Sequence, residues 1–207
     1  MGNGVNSKDK VLIATLYSPE PVLLAANRLG PNRLILLIDK EPNKTQDESL
    51  KVIENSLGRV IDVKTVKTDN YDIVEIAKKC VEIIDMQPKE DSVYVNITSG
   101  RKTKALGLLF AAYTRCDRIK KIAYNPEEDH KAVVYLPKLS FKLTDSQKKV
   151  LEIIEVSKED ATSTDMAEKS GISRAMFYRN LDELRDLGLI DTENGLELTD
   201  AGRIARL

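Results

Sequence analysis

The 207-residue sequence contains no uninterrupted apolar run of the roughly 20 residues that a membrane span requires. Residues 1–10 are polar and lack the apolar core of a signal peptide. These two absences argue against a membrane-embedded or secreted protein, so we expect a cytoplasmic location. Hydrophobic residues nevertheless make up 42% and charged residues 31% of the chain, a balance that can bury a core and argues against global disorder.

The sequence is also poor in the side chains that hold metals or form disulfides, with two cysteines and one histidine. Cys80 falls on the apolar face of a predicted helix and Cys116 at the end of another, without a CxxC spacing. A disulfide framework or a zinc site needs more ligands, so buried reduced thiols and no metal are expected. His130 falls in a predicted turn and belongs to no Ser-His-Asp set, which argues against a conventional hydrolase.

Glycine is absent from the loop after the first predicted strand, which reads TLYSPEP over residues 15–21. The GxGxxG fingerprint of dinucleotide-binding folds is therefore missing, and no GxxxxGK[ST] phosphate loop occurs elsewhere. These absences disfavour an NAD-dependent dehydrogenase and a P-loop NTPase.

Six short runs rich in β-branched residues occur between residues 11 and 135. Stretches of helical periodicity separate the first five, which predicts a mostly parallel sheet with helices on both faces. Only NPEEDH separates the last two, so these should form an antiparallel hairpin at the sheet edge. We therefore expect a Rossmann-like, six-stranded α/β domain over residues 1–138. The predicted strands span residues 11–18, 33–39, 62–68, 92–98, 120–125 and 132–136.

The pattern changes after Pro137, where amphipathic helical stretches replace the alternation of strands and helices. We place a domain boundary near Leu139, which leaves residues 139–207 as a second, mostly α-helical domain. In this domain Gly171 marks a tight turn between two helices, and Ser173 is a favourable N-cap for the second. Two short strands after that helix predict a small wing.

This second domain resembles winged helix-turn-helix transcription regulators over essentially all of residues 143–207. The resemblance rests on the letters GISR, YRNLDELRDLGLI and LTDAGR. In the DNA-binding mode, the exposed side of the recognition helix enters the major groove near its N-terminus. Arginines there suit guanine, whereas hydroxyls and helix N-termini suit phosphates. The residues expected to contact DNA are Ser173, Arg174, Ala175, Tyr178, Arg179 and Arg185.

The charge of this domain weakens the DNA-binding hypothesis. From Leu143 onward nine basic residues stand against fourteen acidic ones, a balance of −5, whereas the rest of the chain carries +4. The predicted wing, with Asp191, Glu193 and Asn194, contains no Lys or Arg, although phosphate neutralisation supplies most non-specific affinity for DNA. A winged helix used for dimerisation or protein contact therefore stays open as an alternative.

A loop rich in hydroxyls, glycine and cations follows the fourth predicted strand and reads NITSGRKTK over residues 96–104. Backbone N–H groups, the positive end of a helix and three cations meet there, which suits a phosphate or another anion. Because open parallel sheets bind ligands beyond the carboxyl ends of strands whose connections diverge, the loop after the first strand should share the site. The alternative is an ordinary βα turn with solvated cations. The candidate ligand-binding residues are Thr15, Tyr17, Ser18, Pro19, Glu20, Asn96, Thr98, Ser99, Gly100, Arg101, Lys102 and Lys104.

Together, the six-stranded domain, this loop and the winged helix resemble the CARF (CRISPR-associated Rossmann fold) transcriptional regulators of archaea. Residues 98–104 match the family's strand-four motif, and residues 15–20 match its strand-one loop. The resemblance implies a homodimer with one symmetric pocket for a cyclic oligoadenylate effector, most often the tetra-adenylate. It also implies winged helices that bind double-stranded DNA at promoters of CRISPR-associated genes, in antiviral defence.

The same resemblance leaves an enzymatic alternative open. Some CARF proteins cleave their cyclic ligand by placing a 2′-hydroxyl in line with the neighbouring phosphate. Lys102 or Ser18 could stabilise such a transition state, so a metal-independent ring nuclease is the second hypothesis.

Overall fold

The computed structural model of the chain describes residues 8–129, 132–139, 143–157, 161–192 and 195–207. The chain divides into two compact units, Met1–Ser140 and Phe141–Leu207. His130 of the predicted turn and Glu193 and Asn194 of the predicted wing lie outside the described residues. Within the described ranges, no helix is long and apolar enough to cross a membrane.

The first unit is built around a sheet that has six strands in the described part of the chain. The strands are β1 (Lys10–Thr15), β2 (Arg33–Asp39), β3 (Asp62–Thr68), β4 (Ser92–Asn96), β5 (Ile119–Tyr124) and β6 (Val134–Leu136). They lie in the order β3-β2-β1-β4-β5-β6, the first five parallel and β6 antiparallel to β5. The prediction of a mostly parallel, six-stranded sheet with a terminal hairpin is confirmed, and the strand order is that of the Rossmann fold.

Four helices connect the first five strands: α1 (Glu20–Leu29), α2 (Lys44–Leu57), α3 (Ile73–Asp85) and α4 (Lys102–Thr114). The helices α1 and α2 share one apolar cluster with sheet residues such as Leu12 and Leu36. The helices α3 and α4 pack closely together at Gly107, where a Cβ would lie 2.4 Å from Ile76 Cγ2. Ile13, which points to the opposite face of β1 from Leu12, is equally buried. The central strands are therefore covered on both faces, as their nearly continuous apolar letters predict.

The second unit is a helical region with a small hairpin, as the sequence predicts. Helix α7 begins with Ser173 as its N-cap, whose Oγ accepts a hydrogen bond from Met176 N. Phe177 and Leu184 of α7 are buried in an apolar core that includes Leu151 of α5. The elements are α5 (Asp145–Val156), α6 (Ser163–Lys169), α7 (Arg174–Asp186), β7 (Ile190–Asp191), β8 (Glu197–Leu198) and α8 (Asp200–Arg206).

Candidate functional site

The carboxyl ends of β1 and β4 lie side by side, and the loops that follow them are hydrogen-bonded to each other. Thr15 Oγ1 donates to Ser99 O, while Ser99 Oγ accepts from the N–H groups of Tyr17, at 2.8 Å, and Ser18, at 2.9 Å. Both hydroxylated side chains, Thr15 and Ser99, are buried. Their hydroxyls fasten the two predicted ligand loops together. Because the chain turns to make these contacts, β1 ends at Thr15 and β4 at Asn96, earlier than predicted.

Gly100 makes the turn from this junction into α4. Its φ of +92° lies in the left-handed region that disfavours other residues, and a Cβ there would stand 3.0 Å from Thr15 Cβ. Arg101 follows as the N-cap of α4 without a side-chain cap hydrogen bond among the described residues. The first N–H groups of α4 are thus left for water or an anion at the sheet edge.

Asn96 and Thr98 organise the end of β4 against the end of β5. Thr98 Oγ1 donates to Asn125 Oδ1 at 3.1 Å and accepts from Asn125 N at 2.9 Å. Asn96 Nδ2 donates to the same amide oxygen at 3.2 Å, and both asparagines are buried. Sequence reasoning treated Asn125 as a turn residue, although its place at the end of a predicted strand was a signal that it belongs to this edge.

Lys104 is placed differently from the other two predicted cations. Its side chain is fully buried, and Nζ shares its three N–H donors among four oxygens at 2.7 to 3.1 Å, namely Ile38 O, the Thr68 carbonyl and hydroxyl oxygens, and Asp69 O. Burial lowers the pKa of Lys104, and the carboxylate of Asp39 opposes that shift. The structure therefore uses Lys104 to join the carboxyl ends of β2 and β3, whereas the sequence prediction put its ammonium at the ligand.

Asp39, at the end of β2, neutralises cations at the start of α4. Its Oδ2 accepts a hydrogen bond from Arg101 Nε at 2.9 Å, and its Oδ1 lies 3.2 Å from Lys104 Nζ. Only 5% of the Asp39 side chain is exposed. Within the described residues Oδ1 accepts no hydrogen bond, so it interacts with the Lys104 ammonium through charge. This buried carboxylate explains how cations persist in a turn whose helix dipole disfavours them.

Arg101 keeps 38% of its side chain exposed and lies beside the aromatic ring of Tyr71. Its guanidinium carbon is 5.6 Å from the ring centroid of Tyr71, and Nη1 is 3.4 Å from the Tyr71 hydroxyl oxygen. The hydrogen bond to Asp39 is the main cause that raises the pKa of Arg101, and both Tyr71 and Tyr17 add to it. Tyr71 is 73% and Tyr17 45% exposed. The edge therefore presents a guanidinium with aromatic side chains near it.

Lys102 is the exposed first residue of α4. No hydrogen bond or ion pair engages its side chain in the part of the chain that the structure describes, so its ammonium is available to an anion. Ser18 and Pro19 are half-buried in the opposite loop, and Glu20 is exposed in the first turn of α1. A carboxylate at a helix N-terminus is stabilised by the helix dipole, so stabilisation of α1 is enough to account for Glu20 without a ligand.

Polar side chains of α2 hold the loop after β1 in place through hydrogen bonds to its carbonyl oxygens. Gln46 Nε2 donates to Leu16 O and Ser49 Oγ donates to Tyr17 O, both at 2.7 Å. Gln46 Oε1 also accepts from Asp39 N at 2.9 Å, which connects this loop to the end of β2. Sequence reasoning missed Gln46 and Ser49, because polar residues on an amphipathic helix look like a solvated face.

A separate cavity of about 240 Å³ opens on the face of the sheet beside α1. Tyr94, Lys121 and Tyr135 line it, and Asn96 and Asn125 close its end nearest the strand termini. Asn96 is its single member from the predicted ligand residues in the described chain. We call the start of α4 with Arg101 and Lys102, together with the loop after β1, the cationic edge. The cavity and the cationic edge are therefore neighbouring but distinct features.

In the second unit, the residues predicted to contact DNA lie at the exposed start and along the exposed side of α7. Ala175 and Tyr178 are exposed, and the Ser173 hydroxyl is used as the helix cap. Each predicted arginine has an acidic neighbour, which lowers the local positive potential. The pairs are Arg174 with Glu168 at 3.0 Å, Arg179 with Glu183 at 3.7 Å, and Arg185 with Asp182 at 2.8 Å.

A family model described as "HFX_2341_N:-like, N-terminal" matches residues 11–129, more than half of the chain. This range contains all the residues of the cationic edge described above. No curated protein shows a significant match to the sequence.

Several solved structures match the chain at low sequence identity. VC1899 from Vibrio cholerae is 13% identical with a TM-score of 0.50, and the match covers 95% of this chain and 64% of that protein. Can2 from Sulfobacillus thermosulfidooxidans, in complex with cyclic tetra-adenylate, is 16% identical with a TM-score of 0.49, covering 94% and 62%. Enterococcus italicus Csm6, bound to cyclic hexa-2′-fluoro-hexa-dAMP, is 12% identical with a TM-score of 0.48, covering 87% and 55%. The chain spans less than two thirds of the length of each.

Proposed function

Since the chain belongs to the HFX_2341_N:-like, N-terminal family through residues 11–129, we propose that this domain senses a ligand and controls a DNA-binding second domain. The proposed ligand is a cyclic oligoadenylate, with the tetra-adenylate as first candidate, and the regulated system is CRISPR–Cas defence. The resemblance of residues 98–104 and 15–20 to the CARF loops motivates this choice.

The observation that carries the proposal is the start of α4 at the edge between β1 and β4. One helical turn carries N–H groups without a side-chain cap, the exposed guanidinium edge of Arg101 and the ammonium of Lys102, which has no partner among the described residues. A phosphodiester fits this set, because helix N-termini and charge-assisted hydrogen bonds favour phosphate oxygens. The loops are already fastened together by Ser99, so little ordering should oppose binding.

Calorimetric titration of the full chain with cyclic tetra-adenylate tests the sensor half. We expect a dissociation constant at or below about 1 μM, weakened about tenfold or more by Lys102→Ala, since a charge-assisted hydrogen bond contributes about 1.5–3 kcal/mol. Lys44→Ala, at an exposed position on α2, is the matched control and should leave affinity unchanged. The absence of heat with rings of every size would contradict the proposal.

The titrated mixture also tests the enzymatic alternative. Chromatography of the ring after hours of incubation should return it intact if the domain only senses its ligand. Appearance of linear products that depends on Lys102 or Ser18 would assign ring-nuclease activity instead.

We propose that the second unit is a winged helix-turn-helix, with α7 as the recognition helix and the hairpin of β7 and β8 as its wing. The support is the order of α5, α6, α7 and hairpin, together with a capped, exposed start of α7 at Ser173. Gel shifts on the DNA upstream of its own gene should show salt-dependent binding. Arg174→Ala and Arg179→Ala should each weaken binding, and loss of a phosphate contact should reduce the salt slope by about one unit.

A second candidate for this unit is protein contact, and the paired arginines favour it. Glu168, Glu183 and Asp182 each lie beside one of the predicted DNA-binding guanidiniums. DNA must displace these carboxylates, whereas an acidic and basic mosaic suits a protein surface. Glu168→Gln discriminates between the two functions, because it should strengthen binding if Arg174 contacts DNA and change nothing if it does not.

A homodimer is the proposed assembly of the sensor domain. Tyr94 is half-buried and Tyr135 exposed on the part of the sheet that carries the 240 Å³ cavity. An exposed aromatic side chain beside a cavity is a surface that a second copy can cover across a two-fold axis. Light scattering should give twice the chain mass, and Tyr135→Glu should shift it towards the monomer.

A further inference from the structure

Tyr71 is an exposed aromatic residue in a loop that nothing in the sequence marked as part of the site. It follows β3, and 73% of its surface is exposed. A single exposed aromatic residue is ordinary by itself, but Tyr71 differs in how its loop is held and in what lies beside its ring.

The loop of residues 69–72 is tied to the first turn of α4. Thr103 Oγ1 donates to Asn70 O at 2.6 Å, and Lys104 Nζ donates to Asp69 O at 2.8 Å. Asp69 Oδ1 in turn accepts from the N–H groups of Tyr71 and Asp72, at 2.9 and 3.0 Å. The backbone that carries Tyr71 is therefore fixed to the same helical turn that begins with Arg101 and Lys102.

Arg101 lies beside the ring, and the terminal nitrogens of its guanidinium keep N–H donors for a ligand. Asp39 accepts the hydrogen bond from Nε, and the contact of Nη1 with the Tyr71 hydroxyl is long, at 3.4 Å. A guanidinium has five N–H donors, so its two terminal nitrogens can still bind a phosphate through two parallel hydrogen bonds. The distance of 5.6 Å from the guanidinium carbon to the Tyr71 centroid puts the ring next to that phosphate position.

We propose that Tyr71 is a stacking residue for a nucleobase of the ligand, with Arg101 held beside it to bind a phosphate of the same nucleotide. This inference rests on the proposed function and adds a selectivity to it. The edge then selects nucleotides over simple polyanions, because an aromatic face stacks on any base but has nothing to stack on in inorganic phosphate. Tyr17 is a second exposed ring at this edge, and its electrostatic interaction also raises the pKa of Arg101.

The chain contains no tryptophan, which allows a single-tryptophan reporter. Tyr71→Trp should bind cyclic tetra-adenylate with a change in emission, since a stacked base quenches indole fluorescence. Val60→Trp is the control, because Val60 is 80% exposed and lies before β3, at the opposite end of that strand from Tyr71. Its emission should not respond. Inorganic tripolyphosphate should leave both reporters unchanged.

Affinity of the full chain for two probes, cyclic tetra-adenylate and inorganic tripolyphosphate, completes the test. Tyr71→Leu should weaken the nucleotide about tenfold or more, as expected for loss of a base stack, and leave tripolyphosphate unchanged. Tyr71→Phe should restore most of the nucleotide affinity. Equal loss for both probes would overturn the inference, because Tyr71 would then only position Arg101, and no loss for either would overturn it as well.

A third probe, linear 5′-phosphorylated tetra-adenylate, separates this inference from the function on which it rests. Binding of the linear form that depends on Tyr71, without binding of any ring, would remove the ring-sensing function and support the stacking role. Binding of the ring that is insensitive to Tyr71 would support ring sensing and overturn the stacking role. No binding of either nucleotide would overturn both.

Discussion

Two lysines two positions apart in α4 should respond to the same substitution in opposite ways. Lys104→Met removes a buried ammonium from Asp39, whose side chain is 5% exposed, and from the oxygens at the ends of β2 and β3. Breaking a buried ion pair from one side costs about 3–5 kcal/mol. Because Arg101 still pairs with Asp39, we expect the lower end, about 3 kcal/mol. Lys102→Met, at an exposed and unpaired position in the described chain, should change stability by less than about 0.5 kcal/mol.

Amide hydrogen exchange of β2 measures this difference in the full chain without requiring the two units to unfold together. A loss of about 3 kcal/mol corresponds to exchange about a hundredfold faster in Lys104→Met. Combining Lys104→Met with Asp39→Asn should recover part of the loss, because the uncompensated carboxylate is removed. Ligand affinity should follow the reverse order, with Lys102→Met the weaker binder. Exchange of β2 that is the same in the two single variants would refute the assignment of Lys104 as a structural cation.

Three further outcomes follow from the first unit. Gly100→Ala should destabilise it by about 1–3 kcal/mol and loosen both loops, whereas Gly30→Ala, also at positive φ but in open space, should cost about 1 kcal/mol; denaturant titrations giving equal losses would contradict the contact with Thr15. Burial raises the pKa of Cys80 to about 12, so mass spectrometry after alkylation at pH 8 should find Cys116 modified and Cys80 protected. Equal alkylation of the two thiols would contradict the burial of Cys80. The pKa of Asp69 is lowered by its backbone hydrogen bond from Asp72 and by Lys40, so its contribution is present above the ordinary value of 3.8 and lost as the pH falls below it; Asp69→Asn should flatten that acid limb of stability, and an unchanged limb would argue against it.

The fold was predictable because its signals are local and consistent. Alternating apolar runs and amphipathic stretches specify a parallel sheet with helices, and the short NPEEDH segment specifies the hairpin of β5 and β6. Strand ends were the weak point. The letters TLYS and NIT continue the strand pattern, but the hydrogen bonds of Ser99 with Tyr17 and Ser18 that end both strands connect residues more than eighty positions apart. Such contacts leave no trace in a local pattern.

The location of the candidate site was predictable from the sequence, but the roles of its individual side chains were predictable only in part. A glycine between hydroxyls and cations after a strand marks a helix start at a ligand edge, and Gly100 shows the positive φ that this requires. Three cations can be read from the sequence there. Their contacts with Asp39 cannot, because Asp39 comes from another strand and reaches two of them only in the folded domain. The sequence also could not distinguish Lys102 from Lys104, because a helix turns by about 200° over two residues and so separates their side chains.

That separation has an evolutionary consequence. Lys104, which holds the strand ends together, is buried inside the domain. Most substitutions there should impair folding, whatever their effect on ligand binding. Positions 102 and 71 face outward and carry no structural contact through their charged or aromatic ends beyond Arg101 in the described chain. Descendants of this sequence can therefore drift in what they recognise while the scaffold underneath stays the same, so ligand preference should diverge faster among relatives than the architecture does.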